Sequence, residues 1–145
     1  MVSSGDVDRA VWALRAYETI ALATVSASGP HVAAFFFAPE GFAGGVRLVI
    51  AMARDSRVHR EITADPRVAF MCYPGNATRW ITGRGVAQPE GDGAEALLEA
   101  RLLAHAPGAR AFVDSASVVS VIVEARRLEI VQALDTPPWV LDFEG

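Results

Sequence analysis

Turn-forming residues cut this chain into short apolar runs, and that punctuation limits the folds open to it more than any other feature. Thr19–Ser26 and His31–Pro39 read as strands on either side of Ala27-Ser28-Gly29-Pro30, so they predict a β-hairpin. Gly41–Gly45 forms a second loop before Val46–Ala53, whose unbroken apolar character suits a strand buried on both faces. Arg67–Tyr73 and Arg79–Gln88 are the next two strands, divided by a turn at Pro74-Gly75-Asn76. Gly83 and Gly85 inside the second of these mark a bulge or a close approach by another backbone or a ligand. Val118–Val123 and Leu128–Val131 read as two final strand segments, with a bend at Arg126 and Arg127.

The helices are few and set between strands. Asp6 or Asp8 caps the first, which runs to about Glu18 with Val7, Ala10, Val11, Leu14 and Tyr17 at helical spacing. Asp55 or Ser56 caps a short second helix, which Asp65-Pro66 ends after Ala64. Ala94–His105 is the segment richest in helix formers, and Ala109–Asp114 adds one more turn. Strands and helices do not alternate regularly, so a doubly wound sheet is excluded. The expectation is a mainly β (α+β) fold, a six- to seven-stranded antiparallel barrel with a few short helices.

At 145 residues the chain is the size of one domain, spanning 1–145. Hydrophobic residues make up 52% of it, rich for so small a protein with so much surface to cover. Part of that surface is expected to lie against a partner, and a homodimer is the simplest arrangement. The net charge of −4 and the lack of any basic run disfavour nucleic acid. All 13 basic residues are Arg, so lysine Schiff-base chemistry is excluded and a bound phosphate must be met by Arg, His or backbone N–H groups. Cys72 stands alone in an apolar run, which rules out an intramolecular disulfide framework and reads as core. His31, His59 and His105 lack ligand spacing, so no metal site is expected. Met1–Arg9 shows no apolar leader, and no run is long enough to span a membrane; a cytoplasmic protein without membrane contact is expected.

Chemistry concentrates in Val46–Pro66, where an apolar strand runs into Arg54-Asp55-Ser56-Arg57 and a helix start. A strand, a polar turn and a helix N-terminus together can hold an anion, because unpaired N–H groups and the helix dipole point the same way. Ser56 offers a hydroxyl and Arg57 a fork of donors. A plain capped helix with Arg57 on its solvated face is the commoner meaning of the same residues. Phe35, Phe36 and Phe37 read as barrel or dimer packing, with stacking on a planar ligand as the alternative.

Four stretches carry a resemblance to the pyridoxamine 5′-phosphate oxidase-like, FMN-binding split β-barrel superfamily. They are Thr19–Pro39, Leu48–His59, Ala64-Asp65-Pro66-Arg67-Val68-Ala69 (similar to the family's N-P-R-V-A strand entry) and Arg79–Gln88. They cover roughly residues 10 to 90 in the family's order and spacing. The resemblance implies a split barrel, a homodimer, and an FMN site built by both subunits of a small oxidoreductase. It places Ser56 and Arg57 at the phosphate turn with Arg54, His59 and Arg79 as further anion partners, and Ala51, Met52 and Trp80 against the flavin. The chain departs from the family where Val58 replaces a Lys and where Val32–Ala38 lacks the usual basic residues. Those departures leave F420, haem, weak binding or a non-catalytic protein as alternatives to a tight FMN enzyme. The C-terminal Arg and Trp pattern that holds pyridoxamine phosphate in the true oxidase is absent, so that activity is not expected.

Overall fold

The computed structural model describes residues 2–115 and 117–144. Seven strands form one antiparallel sheet: β1 (Thr19–Ser26), β2 (Gly29–Phe42), β3 (Gly45–Ala53), β4 (Arg67–Cys72), β5 (Trp80–Pro89), β6 (Val118–Val131) and β7 (Trp139–Asp142). Their order is β3-β2-β1-β4-β5-β6-β7, and a further β3–β6 pairing closes six of them into a barrel. The architecture is the expected antiparallel split barrel with short helices.

The split lies in β2. Its first half pairs with β1, ending at Thr19 opposite Phe36, and its second half pairs with β3, starting at Phe37 opposite Ile50. The two ladders meet without overlapping. The outer edge of residues 29–36 and the β3 edge beyond Ile50 are therefore left open, with a wedge between them. β6 is shared in the same way: Val118–Glu124 pairs with β3, Arg127–Ile130 with β7, and β5 lies along its other edge.

Alternation sends one set of side chains into the barrel, where Leu22, Phe37, Leu48, Ile50, Met52 and Leu128 are fully buried. Helix α1 (Ser4–Leu14) adds Val7, Ala10, Val11 and Leu14 to this core. It sits so close to β2 that a Cβ on Gly41 would stand 3.0 Å from Val7 Cγ1. Helix α2 (Arg57–Ala64) adds Val58 and Ile62. On the outer face, Ala38, Val49, Ala51 and Val118 are covered by Leu98, Leu102, Leu103, Ala106 and Ala109.

Four local expectations are corrected. Ser3, not Asp6 or Asp8, caps α1: its hydroxyl accepts from the Asp6 N–H while Asp6 receives the Ser3 N–H, and the helix ends at Leu14 rather than near Glu18. β2 runs on through Pro39 to Phe42, because past Phe36 only one edge of the strand is laddered and the missing proline N–H is tolerated. Ala94–His105 is not a regular α-helix; a 3-10 turn (Ala94–Leu97) passes into a π turn (Glu99–Leu103), which brings Leu98, Leu102 and the adjacent Leu103 onto the sheet together. The two final strand segments are one strand, β6, and the expected bend is a bulge: Arg84 faces Arg127 but Gly85 faces Ala125, so Arg126 is the extra residue. Its carbonyl accepts the Phe143 N–H at 2.9 Å. The further turn after Ala109 is α3 (Arg110–Ser115).

Candidate functional site

The wedge brings an apolar notch and a polar turn to the same end of β3. Alternation along β3 turns Met52 inward, into the fully buried core, and Ala51 outward. Ala51 forms the floor of a notch of about 260 Å³, walled by Ala34, Phe35, Phe36, Ala109 and Phe112. Phe37 is inside the barrel and edge-on to His105, so of the three consecutive phenylalanines Phe36 is the one whose packing lies with the outer cluster. Among the described residues no titratable side chain lines the notch. Past Ile50 the β3 main chain has β6 on one side and no β2 ladder on the other.

The same strand leads directly into the polar turn. The Arg54 N–H bonds to the Ser117 carbonyl at 2.9 Å, while its side chain is exposed. Asp55 holds a positive φ of 61°, the one non-glycine residue to do so among those described. That twist aims the Asp55 N–H at His59 Nδ1, 2.9 Å away, so the proton of a neutral His59 sits on Nε2. Ser56 caps α2 by accepting from the His59 N–H at 3.2 Å. Its hydroxyl proton and the N–H groups of Arg57 and Val58 in the first turn stay available to an anion. The Val58 side chain lies in the barrel core, so a charge at this position would be buried.

Arg57 is tethered. Its Nε donates to Glu61 Oε2 at 3.2 Å, which leaves the terminal nitrogens free on a side chain 57% exposed. Glu61 is the centre of a buried polar cluster, receiving Thr24 Oγ1 at 2.9 Å and His31 Nδ1 at 2.8 Å. The His31 bond, with those of Thr24 and Arg57, holds the Glu61 carboxyl down at about 2 despite its burial. A second network lies outside the wedge. Arg101 donates twice to Glu40, at 3.0 and 2.9 Å, and once to Glu90 at 2.8 Å. Ser120 also donates to Glu90, at 2.6 Å. Sequence reasoning missed both networks. The first left a trace in the Arg57–Glu61 spacing and in an acid on the buried face of α2; the second joins residues distant in sequence and left none.

Arg79 and Trp80 stand elsewhere. Trp80 faces Val131 and Ala53 faces Val118, the two ends of β6, so roughly 40 Å of strand separates them at about 3.3 Å per residue. Within one chain the structure brings together Ala51, Met52, Arg54, Ser56, Arg57 and His59 but not Arg79 and Trp80. Arg79 instead lines a cleft of about 580 Å³ between α1, β5 and β6. Cys72 is buried, with its thiol pushed up to about 12. Among the described residues no group of three His, Cys, Asp or Glu converges as a metal site, and no helix is long and apolar enough to cross a membrane.

The family model described as pyridoxamine 5′-phosphate oxidase matches residues 8–131. The chain belongs to the pyridoxamine 5′-phosphate oxidase family. No curated protein sequence matches it significantly. Solved structures share the family fold. General stress protein 26 from Bacillus anthracis has a TM-score of 0.66 at 21% identity, over 93% of this chain and 96% of that one. A haem-binding protein from Mycobacterium smegmatis has 0.71 at 20%, over 99% of this chain and 60% of that one. ChuZ from Campylobacter jejuni has 0.73 at 14%, over 98% and 61%. The chain thus spans about three-fifths of the last two proteins. At these identities the likeness is one of fold.

Proposed function

We propose that this family member is a cytoplasmic, single-domain FMN-binding oxidoreductase that works as a homodimer. One observation carries the proposal: the open β3 edge beside Ala51 runs without interruption into the Ser56-capped helix start. An aromatic notch and an anion-binding turn are thereby set at the two ends of one short segment. Ala51 would lie beneath the flavin ring, with the fully buried Met52 supporting that strand from inside the barrel; Ser56, Arg57, the first-turn N–H groups, Arg54 and His59 would meet its phosphate. When bound, the flavin supplies hydride or electron transfer, and the protein binds, orients and keeps water away. The notch is smaller than the roughly 300–1,000 Å³ of an enclosing ligand pocket, so a single chain covers only part of a flavin ring. A second copy across the open β2 edge, where Val32 is 62% exposed, completes the enclosure.

Phosphate binding is expected to be modest. Val58 is in the core and Val32–Ala38 is apolar, so two or three charged hydrogen bonds at about 1.5–3 kcal/mol each are missing relative to the family's usual site. Added FMN should therefore bind with a micromolar Kd, read from quenching of flavin fluorescence. Arg57→Ala should weaken it about ten- to a hundredfold. An unchanged titration in that variant would remove Arg57 from the site, and a monomer in sedimentation at micromolar concentration would remove the second copy. F420, with a related ring and a phosphate, is the alternative at the same place. A haem reading rests on a different residue. His31 gives its Nδ1 proton to Glu61, the carboxylate–histidine pairing that prepares Nε2 to bind a metal. A Soret shift with haemin that is lost in His31→Ala would favour haem.

A further inference from the structure

The cleft at the other end of β6 is unexplained by the flavin reading. Trp12 from α1, Arg15 and Tyr17 just after it, Arg79 just before β5, Ile81 from its start, and Ile130 from β6 line a space of about 580 Å³. That volume is in the range of small-molecule pockets. Its chemistry is lopsided. The chain carries a net charge of −4, yet among the described residues the lining holds two arginines and no carboxylate. Neither arginine makes a side-chain ion pair or hydrogen bond among the described residues, although ten ion pairs occupy charged groups elsewhere in them. Trp12 projects from α1 with 74% of its surface exposed, more than any other large apolar residue described. Burial keeps the Tyr17 phenol above its ordinary value against the pull of Arg79, so it stays a neutral donor.

We infer that this cleft is a second ligand site, one that takes a small planar aromatic carboxylate, its ring against Trp12, Ala13 and Ala16 and its carboxylate between Arg15 and Arg79. Arg gives a carboxylate two parallel N–H bonds, and an exposed indole gives a flat ring a face to stack on. A neutral ligand leaves both cations unanswered, and an aliphatic anion leaves the indole bare. The site stands apart from the wedge: it shares no residue with the Ser56 turn, and it does not depend on FMN being the cofactor there.

The test uses the intact protein and 1-naphthoate, with 1-naphthalenemethanol as its neutral counterpart. Binding is followed by calorimetry and by the indole N–H signals of Trp12, Trp80 and Trp139, with Trp12 assigned through Trp12→Phe. Saturable naphthoate binding is expected, with the Trp12 signal shifting. The alcohol should bind at least tenfold more weakly. Arg15→Ala and Arg79→Ala should each weaken naphthoate tenfold or more while keeping the wild-type signal pattern, which shows them folded. Arg57→Ala should bind naphthoate as wild type does, whatever it does to FMN. No saturation by millimolar naphthoate, equal affinity for the alcohol, or an unaffected arginine variant would each overturn the assignment.

Discussion

Replacing Arg101 with Ala tests how the helical segment 94–115 is fastened to the barrel. The side chain is 18% exposed and makes three charge-assisted hydrogen bonds, two to Glu40 on β2 and one to Glu90 after β5. Each such bond is worth about 1.5–3 kcal/mol where fully desolvated. Glu40 and Glu90 keep 29% and 28% of their side-chain surface in water, and each retains a neighbour, Arg47 at 3.4 Å and Ser120 at 2.6 Å. The three bonds are therefore discounted to about 2–3 kcal/mol together. For a chain of this length that lowers Tm by about 6–10 °C, measurable by calorimetry or circular dichroism. The loss should depend on pH. The Arg101 bond holds the Glu40 carboxyl below its ordinary 4.5, so its stabilisation is complete above that value and fades as pH falls beneath it. The gap between wild type and Arg101→Ala should narrow from pH 7 to pH 3. The double variant Glu40→Gln/Arg101→Ala should be little worse than Arg101→Ala alone. A Tm drop under about 2 °C, or a gap that widens in acid, would refute the idea that this network fastens the segment.

Three further outcomes are expected. Gly85→Ala puts a Cβ 2.2 Å from the Glu124 carbonyl oxygen, a main-chain atom in a ladder, so denaturant unfolding should show a loss of about 3 kcal/mol or more, with the bulge displaced. Glu61→Gln should flatten the acid limb of the stability curve: the Glu61 carboxyl is held near 2, so its contribution is present above 4.5 and lost as pH falls toward 2, and unfolding midpoints from pH 6 to pH 2 measure it. Cys72 should resist iodoacetamide at pH 8 in the folded protein and react after denaturation, by mass spectrometry, because its thiol is buried and pushed up to about 12.

Much of this fold is written locally. Ser-Gly-Pro between two apolar runs placed the β1–β2 hairpin, Ser56 placed the start of α2, and Pro66 placed the entry to β4. Local chemistry failed where a distant contact decides. The leucines of 98–103 adopt a π turn because the sheet beneath requires two adjacent side chains at once, and no helix propensity encodes that. Arg126 continues a strand because Gly85 opposite admits the bulge. In the wedge, the sequence showed that an apolar strand ending at Ala51–Ala53 leads into the turn at Ser56 and Arg57. It could not show that Met52 faces inward or that Arg57 is tied to Glu61, since both depend on strand phase and on a buried acid. Within one chain the length of β6 keeps Arg79 and Trp80 apart from that segment, a separation that only the paired register of the strands reveals.

The sharing of β6 between β3 and β7 also governs how the chain can fold. The β1–β2, β2–β3 and β4–β5 ladders join strands adjacent in sequence and can form by fast local zippering. The β3–β6 ladder pairs Arg47 with Glu124 and Ala53 with Val118, about 70 residues apart, so the ring closes only after a long loop has been fixed. During synthesis the ribosome releases β6 after every other strand of the barrel, at roughly 5–20 residues per second. For the seconds in between, β3 offers a bare edge on a segment, Gly45–Ala53, in which Arg47 is the lone charge. That interval is when a nascent chain is most exposed to pairing with its neighbours, and Arg47 stands as a gatekeeper on the strand that has longest to wait.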